Sequence, residues 1–232
     1  MTDPTGIPFQ YHPDILARFP QVAGAAMLGS GLYNPPTPPA LLDAYLTEQR
    51  RVLSSIGGTP LSELKTLAGW RAAFRQFGVD PTQYRSAAEA LLRRLTKKGD
   101  IPSINTVVDA CNLVSIRHAL PVAAFDLARV APPVTVRFAR GDEIFKPLGE
   151  EQAEQPQPGE VIFTDASGQV LARRWCWRQS QESAAGLTSQ RVLFTIEAQH
   201  EGGREHAAQA LADLQRLLVQ HCGGNYVMDI FP

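Results

Sequence analysis

Asn105, Asp109 and Asn112 recur at i, i+4 and i+7, a spacing that sets two amides and a carboxylate on one face of a helix. Such groups can hold an amino group, polarise an ester carbonyl or orient a water, and equally they can cap turns and hold loops. A second cluster gathers Arg137, Asp142 and Glu143 around a turn. A third, Trp175, Trp177, Arg178 and Glu182, sets indoles beside a guanidinium, a surface on which a base or an aromatic side chain stacks. Strand alternation would instead bury at least one of those tryptophans in the core. No Walker loop, GxGxxG, GxSxG elbow or HExxH helix occurs, which removes nucleotide hydrolysis and dehydrogenation from the leading readings. Cys111, Cys176 and Cys222 are far apart with no CxxC pair, and the five histidines lack one-turn pairing. Neither a disulfide framework nor a metal site is expected, and no cofactor is implied.

The elements that must position these groups are readable from periodicity. Residues 1–37 are short apolar pieces broken by prolines, and Asn34-Pro35-Pro36-Thr37-Pro38-Pro39 predicts a stiff loop. Leu41, Leu42, Tyr45, Val52 and Ile56 follow helical spacing up to Gly57-Gly58, and Thr59-Pro60 predicts a new helix carrying Leu61, Leu64, Leu67, Phe74 and Phe77. Ser86 and Glu89 form a capping-box pattern ahead of Leu91, Leu92 and Leu95, with Lys97, Lys98 and Gly99 closing that helix. Ile104, Val107, Val108, Cys111 and Val114 make a further helical stripe. From Val134 the period drops to two, predicting a strand through Phe138; Val161–Thr164 and Val170–Trp177 flank a hairpin turn at residues 165–169. Another strand is expected over Arg191–Glu197, and a last helix over residues 207–221. Helices first, then strands, then one helix predict an α+β domain.

The chain has 232 residues, 44% of them hydrophobic, enough for one sizeable core, so residues 1–232 are read as a single domain. Lys and Arg total 22 against 23 Asp and Glu, so any contact with nucleic acid has to come from a local patch. No apolar run approaches a membrane span and the first residues are not leader-like, which predicts a cytoplasmic protein with no membrane partner.

Three segments carry a family resemblance: Tyr84-Arg85-Ser86-Ala87-Ala88-Glu89-Ala90-Leu91-Leu92-Arg93-Arg94, then Ile104-Asn105-Thr106-Val107-Val108-Asp109-Ala110-Cys111-Asn112, then Leu120-Pro121-Val122-Ala123-Ala124-Phe125-Asp126. In order and spacing they resemble the B3/B4 editing domain of the bacterial phenylalanyl-tRNA synthetase beta subunit. The resemblance spans roughly Trp70 to Ala198. It implies an α+β fold with helices packed on a mainly antiparallel sheet, divided as an N-terminal elaboration (1–64), a B3/B4-like core (65–200) and a C-terminal helix and tail (201–232). It also implies a trans-acting deacylase whose partner is mischarged aminoacyl-tRNA. In that reading Glu182, Asp109 and Asn112 are the catalytic candidates, Glu182 or Asp109 orienting a water. Asn105, Thr106, Asp126, Arg137, Glu143, Trp177, Arg178 and Thr188 are the substrate-binding candidates, and Arg93, Arg94, Lys97 and Lys98 the tRNA-binding ones. The chain departs from the family pattern at Ala123, where histidine is expected, and at Pro102, where arginine is. Trp175 to Glu182 replace a glycine-rich segment. A non-catalytic module that binds tRNA or an amino acid in the same pocket is the alternative, and an interaction domain with an inert pocket a third.

Overall fold

Alternation along two strands divides the interior. The computed structural model describes residues 6–232, so the reading of residues 1–5 lies outside the described residues. In β2 (Ala23–Ser30) Ala25 and Met27 point one way and Ala26 the other; in β8 (Arg191–Ala198) Phe194 and Ile196 point one way and Leu193 the other. With β3 (Val122–Asp126) and β9 (Asn225–Phe231) these strands form an antiparallel sheet in the order β3-β8-β2-β9. One face of it is covered by α2 (Pro39–Ile56), α4 (Ala87–Lys98), α5 (Thr106–His118) and α6 (Gly203–Cys222), whose Tyr45, Leu92, Val107, Leu113, Leu211 and Leu214 join Met27 and Phe194 in one core.

The opposite face looks toward a second sheet. Here β1 (Phe9–Tyr11) lies parallel to β4 (Val134–Phe138), and β5 (Val161–Thr164), β6 (Val170–Arg173) and β7 (Arg178–Gln179) continue it antiparallel. Aromatic side chains fill the space between the sheets, with Phe9, Phe125, Phe163 and Trp175 joined by Phe19 after α1 (Pro13–Arg18) and by Trp70 and Phe74 from α3 (Lys65–Gln76). Trp175 meets Phe19, Trp70 and Phe77 at centroid distances of 4.9, 5.3 and 6.3 Å. The first two are edge-to-face, and aromatic pairs of that geometry each add about 1 kcal/mol beyond the area they bury. The fold is α+β, as the element order predicts, with antiparallel pairing dominating both sheets.

Local chemistry explains most of the helix boundaries. Ser86 caps α4 by accepting from the Glu89 N–H at 3.3 Å, and Gly99 closes it at φ 83°, which a residue without Cβ adopts freely. Four boundaries differ from the sequence expectation. Thr59-Pro60 opens only a short 3₁₀ turn at Leu61–Glu63, because Leu64 is extended, and α3 starts at Lys65. Asn105 caps α5 rather than lying within it, which leaves Ile104 outside the helix and exposed. The strand expected over Val170–Trp177 ends at Arg173, since Arg174 and Trp175 turn left-handed at φ 45° and 60°. Residues before 37 are not merely broken pieces: they supply β1, α1 and β2.

Gly69 lies in the interior of α3, where glycine costs about 1 kcal/mol relative to alanine. A Cβ built on it overlaps the Gln199 carbonyl oxygen just past β8, so the missing side chain is what lets α3 close onto the sheet. Gly69→Ala is therefore expected to lose about 2 kcal/mol or more of stability despite its better helix propensity. Urea unfolding would measure this as a lowered midpoint; an unchanged or raised midpoint contradicts the close approach.

Candidate functional site

A cavity of about 60 Å³ lies between the two sheets. Phe125, Phe163, Trp175 and Trp177 give it apolar walls, Ala123 of β3 lines it, and Ala87, the first residue of α4, lies at its edge. Its acidic group is Glu197 of β8, 2% exposed in a surround that otherwise contributes mostly apolar atoms. The Tyr11 hydroxyl donates to Glu197 Oε1 at 2.6 Å and the Trp175 indole N–H donates to the same oxygen at 3.0 Å, leaving Oε2 for the cavity. Burial pushes the carboxyl up to about 7, and the two donors hold it from going higher.

The geometry of this clamp is set by backbone. Gly24 faces Glu197 in the β2–β8 register, and a Cβ on Gly24 would meet the Tyr11 hydroxyl at 2.5 Å. Glycine there gives the phenol its path to the carboxylate. On the other side, the left-handed backbone of Arg174 and Trp175 costs on the order of 1–3 kcal/mol per residue and turns Trp175 into the core while Trp177 faces the cavity. The Arg174 guanidinium is stacked 3.7 Å from the Tyr84 ring centre and 4.4 Å from that of Trp177. Cys176 also lines the cavity, but burial first, and the neighbouring Glu197 charge second, raise its thiol well above the usual range, so it is no thiolate nucleophile.

Of the cluster Trp175, Trp177, Arg178 and Glu182 singled out by sequence, the cavity gathers all but Glu182. Arg178 lies 5.0 Å from the Trp177 ring centre and pairs with Glu150. The polar stripe takes a different place. Asp109, 0% exposed, accepts from the Thr37 hydroxyl at 2.6 Å, the Ile104 N–H at 2.9 Å and the Ser103 hydroxyl, so its oxygens are committed inside the fold and do not reach the cavity. Asn105 accepts from the Val108 N–H at 3.0 Å and donates to the Ala185 carbonyl at 3.3 Å; Thr106 donates to the Pro35 carbonyl at 2.8 Å. Asp126 accepts from the Ser189 hydroxyl at 2.6 Å and the Ala128 N–H at 3.0 Å. Asn112 is half-buried beside Tyr45, on the helix side of the sheet. Their common effect is to fasten loops, which is what short polar side chains do when backbone groups need partners.

Arg137 bonds Glu143 at 2.6 Å, and Glu143 is held near pKa 2 against its burial by the N–H groups of Arg140 and Gly141 and by Arg137. Glu143 and Glu182 share a shallow depression with Lys146 and Ser167, separate from the cavity. Thr188 is exposed. Arg93 and Lys97 line a groove along α4, whereas Arg94 turns to Asp100, at 3.4 Å, and Lys98 stays outside that groove. Glu197 itself was missed by sequence reasoning. The signal available was a carboxylate amid the apolar run Val192-Leu193-Phe194-Thr195-Ile196 and Ala198, which has no reason to occupy a buried strand unless it is partnered.

A carboxyl with a folded value near 7 and an unfolded one near 4.5 binds more protons in the folded state. Its contribution to stability is fully present below pH 4.5 and is lost as pH rises through about 7. Glu197→Gln keeps the shape and removes the titration, so its stability relative to the parent should improve between pH 5 and pH 8 by about 3 kcal/mol at most. Parallel denaturant titrations across that range test this; a constant difference between the two proteins contradicts it.

No helix among the described residues is long and apolar enough to cross a membrane. The chain resembles known proteins over most of its length. It is 28% identical over 155 residues to the phenylalanine–tRNA ligase beta subunit of Chromobacterium violaceum, covering 58% of this chain and 20% of that one. To the same subunit of Shewanella oneidensis it is 30% identical over 88 residues, covering 38% of this chain and 11% of that one. It therefore spans about a fifth or less of these relatives. An N-terminal fragment of the phenylalanyl-tRNA synthetase beta subunit from Pyrococcus horikoshii shares the fold at TM-score 0.50 and 12% identity, over 97% of this chain and 54% of the fragment. The B3/4 domain family matches residues 69–223, a stretch that holds most of α3, all of α4 to α6 and every cavity-lining residue named here, though not the Tyr11 donor, and the chain belongs to that family.

Proposed function

We propose that this protein binds the aminoacyl end of a mischarged tRNA in the cavity between its sheets and hydrolyses the ester in trans. The observation that carries this reading is Glu197: a buried carboxyl that lines a mostly apolar cavity, with Tyr11 and Trp175 both bound to one oxygen and no hydrogen bond to the other among the described residues. Replacing a buried ionisable group by an apolar one is often neutral or stabilising, so stability alone does not account for it. Similarity to the beta subunit of a tRNA ligase supplies the class of substrate.

In this reading the amino-acid side chain enters toward Glu197 and Thr195, while the ester stays at the mouth beside Trp177 and Arg178. Water adds to the ester carbonyl carbon, the carbonyl oxygen takes the charge, and the bond to the ribose oxygen then breaks. The ribose oxygen takes one of the water's protons and leaves as a hydroxyl, the other proton passes to solvent, and the amino acid leaves as a carboxylate. Arg178, the cation at the cavity, donates to the developing oxyanion or to the ribose, and positioning of a reactive ester supplies much of the rate, on the order of 7 kcal/mol. Size restricts the side chain. A cavity near 150 Å³ is of the scale that admits benzene, so about 60 Å³ accepts a small side chain and not an aromatic ring. A hydroxyl on that side chain would meet Oε2.

A second reading is favoured by one observation. Ala123, where the related synthetase pattern has histidine, presents only a methyl group to the cavity, which suits capture of the ester without cleavage. Deacylation of seryl-, threonyl-, alanyl- and tyrosyl-tRNA separates the two. The expected result is turnover of a small aminoacyl ester at least about tenfold faster than tyrosyl, with Glu197→Gln losing about tenfold on the hydroxylated substrates, a difference near 1.4 kcal/mol. Protection of the ester by the wild type would establish the binder instead, and equal rates for tyrosyl-tRNA would remove the size limit.

A further inference from the structure

The groove beside α4 carries more positive charge than the rest of the molecule explains. It has a volume of about 470 Å³ and runs between the 56–62 segment and the face of α4 that carries Glu89, Arg93 and Lys97, with Arg85 just before the helix and Arg71 of α3 also lining it. Four cations stand against one carboxylate in a chain whose net charge is -1. Glu89 is already taken, since Arg71 bonds it at 2.7 Å and Arg85 stands 3.9 Å away. Arg93 and Lys97 have no ion-pair partner among the described residues, in contrast to Arg94 with Asp100 and Arg117 with Glu48 and Asp213.

We infer that this groove is the track for the phosphate backbone of an RNA strand whose end lies in the inter-sheet cavity, an inference that rests on the function proposed above. Helix α4 joins the two places. Ala87 at its start lines the cavity, and at 1.5 Å per residue Arg93 and Lys97 stand about 9 and 15 Å further along the axis. A strand leaving the cavity along α4 meets Arg93 and then Lys97, with Arg85 just ahead of the helix start. Trp177 of the cavity wall stacks with Arg174, which also covers Tyr84, and Arg174 Nη1 is buried without a hydrogen-bond partner among the described residues. Aromatic faces beside a guanidinium are the usual platform for an unpaired base, and open grooves of unpaired cations track phosphates without reading sequence. The groove is a trough and not an enclosed pocket, which fits an extended polyanion better than a free nucleotide.

The test is the affinity of the full chain for unfractionated tRNA, measured by fluorescence anisotropy from 50 to 200 mM salt. Arg93→Glu with Lys97→Glu is expected to weaken binding at least about tenfold and to reduce the log–log salt slope by about 1.4, from about 0.7 for each of two phosphates. The same double reversal at Arg129 and Arg191, exposed and outside the groove, should cost less than about threefold from the changed net charge. Equal losses in the two double variants overturn the track, as does failure of the wild type to bind tRNA. Tripolyphosphate that binds at the groove as tightly as tRNA would assign it to a free anion and overturn the RNA reading. Binding is measured apart from turnover, so the two proposals fail separately. tRNA held through Arg93 and Lys97 but not deacylated leaves the groove standing and removes the hydrolase; deacylation with no affinity lost on charge reversal removes the groove alone.

Discussion

A carboxylate sealed between two sheets has to be neutralised or supplied with donors, and much of the inter-sheet layer is arranged around that requirement at Glu197. Its two donors come from opposite ends of the second sheet, Tyr11 on β1 and Trp175 just past β6. Each donor is fixed by something else: Tyr11 by the space over Gly24, Trp175 by its edge contacts with Phe19 and Trp70. One hydrogen-bonded oxygen thus couples β1, β8 and the β6–β7 turn. The short parallel pairing of β1 with β4, only three residues long, gains its purpose from the side chain it delivers.

The polar residues of the motif segments act one step further out. The loop between β7 and β8 forms one flank of β3 and is fastened from four directions. Asn34 donates to the Gly186 carbonyl at 2.8 Å, Asn105 to that of Ala185, Gln179 to that of Ser183, and Asp126 receives Ser189. Each such bond nets only about 1 kcal/mol, yet removing one partner strands a buried group at a cost of about 1–3 kcal/mol. That asymmetry makes the set an efficient device for specifying one loop conformation. Fixed spacing in a sequence therefore does not distinguish a catalytic stripe from a scaffold, because both demand defined side-chain positions.

The legible part of the fold was the part with local causes. Helices α2, α4, α5 and α6 show period-3.6 stripes, and the cap at Ser86 and the stop at Gly99 were readable with their mechanism. The illegible part depends on partners distant in sequence. β2 reads Ala-Gly-Ala-Ala-Met-Leu-Gly-Ser, with no β-branched residue, and becomes a central strand because both its faces are covered and β8 and β9 flank it. Small residues there allow close packing at Gly24 and under α6, an advantage that strand propensity does not register. Among the described residues β9 pairs only with β2, and it shows no clean alternation. The site was half legible for the same reason: Trp177 and Arg178 announce a surface, whereas the importance of Glu197 appears only when Tyr11, 186 residues away in sequence, is folded against it.

Volume exchange around the cavity bears on what the protein can do. Ala123 on β3 removes a side chain from one wall, while Trp175 and Trp177 fill space on the facing turn. With a methyl group on one wall and two indoles on the other, the space that remains is about 60 Å³. Both rings are costly to move. Trp175 is fully buried and hydrogen-bonded to Glu197, and Trp177 is wedged between Tyr84, at 5.0 Å, and two guanidinium groups. A pocket walled this way is shaped before any ligand arrives, and its selectivity acts by exclusion: a large side chain would have to displace packed aromatic surface worth about 2–3 kcal/mol per ring. Under the proposed function the rigid walls would set the size of what enters and Glu197 its polarity.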